Sequence, residues 1–438
     1  MSIKDIVGDR YAGVLVITSE EVQKLRDDVL RLVGDKYDAA EVERYVYDNH
    51  SLGQLTPLMF REDLEEIMVI GSGLPVYVYH REKGMQRTEV VLQEEEIRGI
   101  IERIARFSGR RIDQASPLLD AHLPDGSRVN ATLPEVTPRG STITIRKFRR
   151  VPLNIADLIR LRTMNPRLAA FLWLAVEGLR TKPANILISG GSASGKTTIL
   201  NVLSAFVPED ERILSIEDTL EVSLLHKHWV PMETRPPMPG EKEVDMDDLV
   251  KNALRMRPDR IIVGEVRAEE ALTLFTAMNT GHEGCMATIH ANSAREAIQR
   301  LRSHPMNVPD IMIPALDLII SQQRQVRKGR TRRRVMEVVE IGGKEGDVIT
   351  TNTLFQYDPT GDEIKEKLLN GRLIHRLSSL SGMSIGEINQ EIERREAILD
   401  TVSKSSLSTS EIHEVIQLYY RDPEEAVDRL YALVKSRG

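Results

Sequence analysis

Three kinds of residue or segment are scarce in this chain. Cysteine occurs once in 438 residues, at Cys285, which excludes an intramolecular disulfide and any cysteine-rich zinc site. Aromatic residues make up only 4%, a poor supply for a platform that stacks single-stranded nucleic acid. No run of about eighteen apolar residues exists, so no transmembrane helix is expected. The opening Met1-Ser2-Ile3-Lys4-Asp5 does not begin a secretory signal, and these features together predict a cytoplasmic protein. A net charge of −7 gives no overall attraction to nucleic acid or anionic lipid. The 41% hydrophobic and 29% charged content is that of a soluble globular protein, and the length suggests about three domains.

What is present is a complete phosphate-binding loop, Gly190-Gly191-Ser192-Ala193-Ser194-Gly195-Lys196-Thr197. Glycines at both ends let the backbone curl until its N–H groups face phosphate oxygens. Lys196 supplies a point charge for the β- and γ-phosphates, and the Thr197 hydroxyl is a ligand for Mg²⁺. The apolar run 184–189 before the loop reads as a buried strand. The amphipathic stretch 197–206 after it reads as a helix whose N-terminus favours an anion. Residues 190–197 and Thr198 are therefore the nucleotide-binding candidates.

The rest of the chain frames this loop. Residues 1–57 form a charged helical extension, with a helix start at Ser19-Glu20-Glu21. Residues 58–147 read as an α+β domain, with strands near 67–70, 76–80, 129–133 and 142–146 and a helix at 94–107. A linker is expected over 148–165. Asn165 and Pro166 cap a helix running to Arg180. Strands and helices then alternate to about 345, the pattern of a parallel α/β sheet. Residues 346–438 are expected to form a β/helical appendage, with capping boxes at Ser384/Glu387 and Ser408/Glu411 and a helix opened by Asp422-Pro423.

Four segments narrow the chemistry. In Ile213-Leu214-Ser215-Ile216-Glu217-Asp218 a strand delivers adjacent carboxylates, which can hold Mg²⁺ through water or orient a water; an acidic strand end is also commonplace. In Arg260-Ile261-Ile262-Val263-Gly264-Glu265 a carboxylate sits at the carboxyl end of a buried strand, placed to polarise a water attacking the γ-phosphate. The usual Walker B aspartate is absent there, and glycine takes its place. In residues 280–292, His282 and His290 flank a short strand and can sense a phosphate or a catalytic carboxylate. Arg128, Arg146, Arg235, Arg255 and Arg267 are each either a donor to the γ-phosphate or an ordinary salt-bridge partner.

Together these segments resemble the secretion and pilus-assembly ATPase superfamily, the motors of type II and type IV secretion and of type IV pili. The stretches 232–237, 252–260, 278–282, 125–134 and 143–148 are similar to the Tad-type pilus branch. Residues 335–400 look more like archaeal pilus and archaellum motors. The resemblance covers roughly residues 60–340. It implies a RecA-like P-loop motor domain, a PAS-like N-terminal domain and a ring of six subunits. It also implies ATP and Mg²⁺ as cofactors, and a polytopic inner-membrane platform protein that carries pilin-like subunits. In such a motor Arg128 and Arg146 would approach the phosphates or a neighbouring subunit. This chain lacks the four-cysteine zinc site of some relatives.

The expected activity is ATP hydrolysis at the cytoplasmic face of a membrane. Glu265 would act on water, with Glu217 as its partner or rival, and Thr197, Glu217 and Asp218 would serve the metal. The basic run 324–334 reads either as a solvated hairpin turning at Gly329 or as a contact for an acidic partner or anionic lipid. A DNA translocase, an archaellum-type motor and a nucleotide-gated scaffold are the rival readings, although nucleic acid is an unlikely partner for so acidic a chain.

Overall fold

The chain divides into two units, Met1–Val151 and Pro152–Gly438, each with its own apolar clusters. The computed structural model describes residues 2–81, 83–148, 153–235, 242–327, 330–346 and 348–437. The expected turn at Gly329, the Arg149–Pro152 part of the linker and Pro236-Pro237 lie outside the described residues.

The first unit opens with α1 (Ile3–Val7), α2 (Ser19–Val33), α3 (Ala39–His50) and α4 (Thr56–Phe60). Capping boxes start the first three, with Ser2, Thr18 and Asp38 each accepting from the backbone N–H three residues on. Val22, Leu25, Val29, Val42 and Val46 gather into a small apolar cluster of their own. There follow β1 (Leu64–Val69), β2 (Pro75–His80), β3 (Gly84–Val91), α5 (Glu94–Ser108), β4 (Leu118–His122), β5 (Arg128–Thr132) and β6 (Thr142–Arg146). The strands pair antiparallel in the order β3-β2-β1-β6-β5-β4. Ile97, Ile100, Ile101 and Ile104 recur at helical spacing along α5 and pack with Ile67, Val76, Val129 and Ile145 of the strands. This is an α+β arrangement. β3 and β4 were not evident in the sequence: β3 alternates between half-buried and exposed residues and has no apolar face.

The second unit begins with α6 (Ile155–Arg160), inside the expected linker, and α7 (Pro166–Glu177). Asn165 caps α7 by accepting from Leu168 N at 2.9 Å. Then come β7 (Ile186–Gly190), α8 (Lys196–Ser204), β8 (Ile213–Glu217), β9 (Trp229–Glu233), α9 (Met246–Ala253), β10 (Arg260–Val266), α10 (Glu270–Asn279), β11 (Met286–Ile289) and α11 (Ala294–Arg302). The chain closes with β12 (Leu318–Arg327), β13 (Arg330–Glu345), β14 (Val348–Asp358), β15 (Glu363–Glu366), α12 (Arg372–Ser381), α13 (Ile385–Lys404), α14 (Thr409–Tyr419) and α15 (Pro423–Arg437).

All nine strands form one sheet in the order β15-β14-β13-β12-β7-β11-β10-β8-β9. The six from β12 to β9 are parallel, and β13, β14 and β15 extend the sheet antiparallel. Alternation along β7 sends Ile186 and Ile188 to one face and Leu187 to the other. Helices cover both faces, as a parallel sheet requires: α9, α10 and α11 on the Leu187 side, and α7, α8 and α12 to α15 opposite. The fold class is α/β, as expected.

The C-terminal stretch differs from the expected appendage. The 345/346 boundary falls at the turn between β13 and β14, which pair antiparallel. Leu373, Ile392, Leu399 and Ile416 share one apolar cluster with Ile186 and Ile188 of the phosphate-loop strand. These helices bury a sheet face that would otherwise meet water, so they belong to the same core as the phosphate-loop strand.

Candidate functional site

The phosphate loop, Glu217, Asp218, Glu265, Arg267 and His290 collect at the carboxyl ends of the parallel strands, where ligands bind in such sheets. β7 ends at Gly190, and the loop turns into α8 through Gly195, which has φ +98°. A Cβ on Gly190 would lie 2.3 Å from Ser194 Oγ and 2.6 Å from the Gln322 carbonyl oxygen, so only glycine permits the curl. Lys196 Nζ donates to the carbonyls of Gly190 at 3.0 Å and Gly191 at 3.3 Å. It also stands 3.7 Å from Glu265 Oε1. Burial pushes the Lys196 pKa below its ordinary value, against the pull of Glu265.

Two acids approach from neighbouring strands. Glu265, on β10, is held on its far oxygen by Arg267, whose Nε donates to Oε2 at 3.0 Å. Arg267 Nη1 also reaches Asp218 Oδ2 at 3.3 Å. Glu217 ends β8 and is 2% exposed. Its Oε1 accepts from the backbone N–H groups of Glu221 and Val222, both at 3.1 Å. Burial pushes the Glu217 carboxyl up to about 7, with those N–H groups opposing the shift. Gly264 now has a physical reason. A Cβ there would sit 2.9 Å from Glu217 Cγ, so the Glu217 side chain fills the space a Walker B aspartate would need.

The metal candidates separate. Thr197 Oγ1 donates to Glu221 Oε2 at 3.2 Å, not to Glu217 or Asp218. Asp218 faces Arg267, and Glu217 is engaged by backbone N–H groups. Glu221 was missed by sequence reasoning. Its only signal is its place four residues after Glu217, on the loop that Glu217 anchors.

The histidines part company. His290 follows β11 at the same edge as the loop, since β11 runs parallel to β7 with Ile289 opposite Ser189. His282 lies before β11, about 13 Å of strand away at the amino edge. The single chain does not bring His282 to the cradle: β11 stands between the two histidines. Beside it Lys182 pairs with Glu283, and the Cys285 thiol donates to the His282 carbonyl at 3.2 Å. Arg255 is likewise outside, exposed between α9 and the amino end of β10. Arg235 lies just beyond β9 at the carboxyl edge, where its backbone pairs with Val244 and its Nη2 donates to the Lys242 carbonyl at 3.2 Å. Arg128 and Arg146 belong to the first unit, directly opposite each other in register and both exposed.

Three further residues approach the loop that the sequence did not assign to it. Gln322, opposite Gly190 in register, is buried, and its Oε1 has no hydrogen-bond partner among the described residues. Asn292 Oδ1 would lie 3.5 Å from a Cβ on Gly191. Arg333 Nε donates to the Ala193 carbonyl at 3.1 Å.

A nucleotide with Mg²⁺ fits these residues. The glycine-only curl, the half-buried cation at its mouth and the buried Ser194 Oγ, which has no hydrogen-bond partner among the described residues, are what a phosphate chain satisfies. Oxygen donors from Thr197 and Glu221 suit Mg²⁺. No group of three His, Cys, Asp or Glu side chains able to hold a metal occurs among the described residues. Mg²⁺ needs none, because it keeps waters and takes phosphate oxygens.

Known proteins place the chain. An uncharacterized protein of Methanocaldococcus jannaschii is 34% identical, over 85% of this chain and 76% of that one. The type IV secretion system protein PtlH of Bordetella pertussis is 32% identical, over 70% of this chain and 98% of its own. Among solved structures, the Legionella pneumophila ATPase DotB is 18% identical, with a TM-score of 0.49 over 81% of this chain and 92% of that one. Residues 50–415 match the family described as type II/IV secretion system protein, and the chain therefore belongs to that family.

Proposed function

We propose that this chain binds ATP with Mg²⁺ and hydrolyses it as one subunit of a homo-hexameric motor. The observation that carries the reading is Lys196 Nζ, 3.7 Å from Glu265 Oε1 at the mouth of a glycine-only curl. Lys196 would turn from the Gly190 and Gly191 carbonyls to the phosphate oxygens. Thr197 and Glu221 would hold Mg²⁺, which when bound neutralises charge between the β- and γ-phosphates. Glu265, fixed on one oxygen by Arg267, orients the attacking water with its other. Glu217 stands behind it as a second carboxyl able to take a proton near neutral pH. His290 senses the phosphate. Arg128, Arg146, Arg235 and Arg255 are candidates to reach the phosphates of a neighbouring subunit.

Such a motor would work at the cytoplasmic face of a membrane. There it would push a polytopic platform protein and so drive assembly of a type IV-like pilus or related secretion filament. Among the described residues no helix is long and apolar enough to cross a membrane. Arg332, Arg333 and Arg334 of the basic run are engaged within the chain, which leaves them poorly placed to serve a DNA translocase. The test is Glu265→Gln. It keeps the volume of the side chain and the cradle, so nucleotide affinity should hold within about threefold. Phosphate release should fall by about a hundredfold or more. Turnover like that of the unaltered protein would defeat the assignment.

A further inference from the structure

Strand alternation divides the basic run of β13. Arg332 and Arg334 share one face and converge on Asp362. Arg332 Nη1 reaches its Oδ2 at 2.9 Å, Arg334 Nε its Oδ1 at 3.1 Å, and Tyr357 Oη donates to Oδ1 at 2.8 Å. Hydrogen bonding from Arg334 leads in pulling the Asp362 carboxyl down to about 2. Arg333 lies between them and points the other way. There its Nε donates to the Ala193 carbonyl at 3.1 Å. Its Cδ lies 3.2 Å from where a Cβ on Gly195 would stand.

Ala193 is the unusual partner. Its φ of +55° puts a residue with a side chain in the left-handed region, which such residues hold only when their surroundings impose it. A phosphate loop works when its N–H groups converge inward. The Ala193 carbonyl accepts from a guanidinium, a charge-assisted and directional contact.

We propose that Arg333 is a positioning residue for nucleotide binding. By gripping the Ala193 carbonyl it holds the loop in its receptive, left-handed turn and acts through that backbone without touching phosphate. This rests on the reading of the loop as a nucleotide cradle. The test compares the unaltered chain with R333A, A193G and the double variant. The probe is N-methylanthraniloyl-ADP titrated by fluorescence, with steady-state ATPase kinetics alongside. R333A should weaken binding by about tenfold and raise KM for ATP by more than it lowers kcat.

Glycine adopts φ +55° freely, so the same R333A change should cost under about threefold in the Ala193→Gly background. An R333A variant within about twofold of the unaltered chain would overturn the proposal. So would equal losses in both backgrounds, the sign of direct phosphate contact or general damage. An unaltered chain that binds no ADP would instead sink the cradle reading, and this inference with it.

Discussion

At the scale of single residues, burial decides what Glu217 can do. Its carboxyl is pushed up to about 7 from an ordinary 4.5. The folded chain therefore binds more protons than the unfolded chain between those values. Stability from this group is fully present below about pH 4.5 and is lost as pH rises through about 7. At ~1.4 kcal/mol per unit, the component is of order 3 kcal/mol. Glu217→Gln stays neutral and keeps an acceptor oxygen for the Glu221 and Val222 N–H groups. Urea unfolding of this variant should show a smaller fall in stability between about pH 5 and pH 8 than the unaltered chain shows. An unchanged fall would contradict the account. If Glu217 takes a proton during turnover, the ATPase rate should rise through about pH 7, and that limb should vanish in the variant.

At the scale of elements, local signals were legible and distant partners were not. Capping of α7, α13 and α14 was evident because each uses residues close in sequence. The phosphate loop was evident because eight consecutive residues carry it. Arg333 lies 140 residues from Ala193, and no local pattern joins them. The strand between His282 and His290 was legible, but its direction in the sheet, which sends His282 to the amino edge, depends on β7, a distant partner. The C-terminal helices looked separable because their apolar stripes do not say what they cover.

Their attachment has a specific lock. Arg395 of α13 and Glu177 of α7 pair at 3.1 Å with both side chains 3% exposed. The Arg395 guanidinium also lies 5.1 Å from the Trp173 ring centre. Arg395→Ala strands a buried carboxylate and should destabilise the chain by about 3–5 kcal/mol. Replacing both partners by apolar residues should cost less. Chemical denaturation followed by Trp173 fluorescence checks this, and a loss under about 1 kcal/mol would count against the lock.

At the scale of the whole molecule, one sheet carries the residues gathered around the phosphate loop. The loop, Glu217, Glu265, His290 and Gln322 all lie at the carboxyl edge of its parallel strands. Arg255 and His282 at the amino edge, and the Arg128–Arg146 pair in the first unit, are left facing solvent or their own surroundings. In the proposed ring those surfaces would face a neighbour's nucleotide. Sedimentation with ATP and the Glu265→Gln variant should therefore give a particle of about six times the chain mass. Arg255→Ala should bind nucleotide normally and lose turnover by about 10³-fold or more. A monomer with full turnover would contradict the ring.

The central claim is that triphosphate is cleaved between Lys196 and Glu265. It is tested most directly by solving the Glu265→Gln variant with ATP and Mg²⁺. The account predicts the γ-phosphate in contact with Lys196 Nζ, the metal beside Thr197 Oγ1, and an ordered water between phosphate and residue 265. A nucleotide seated elsewhere, or a γ-phosphate beyond the reach of both side chains, would contradict it.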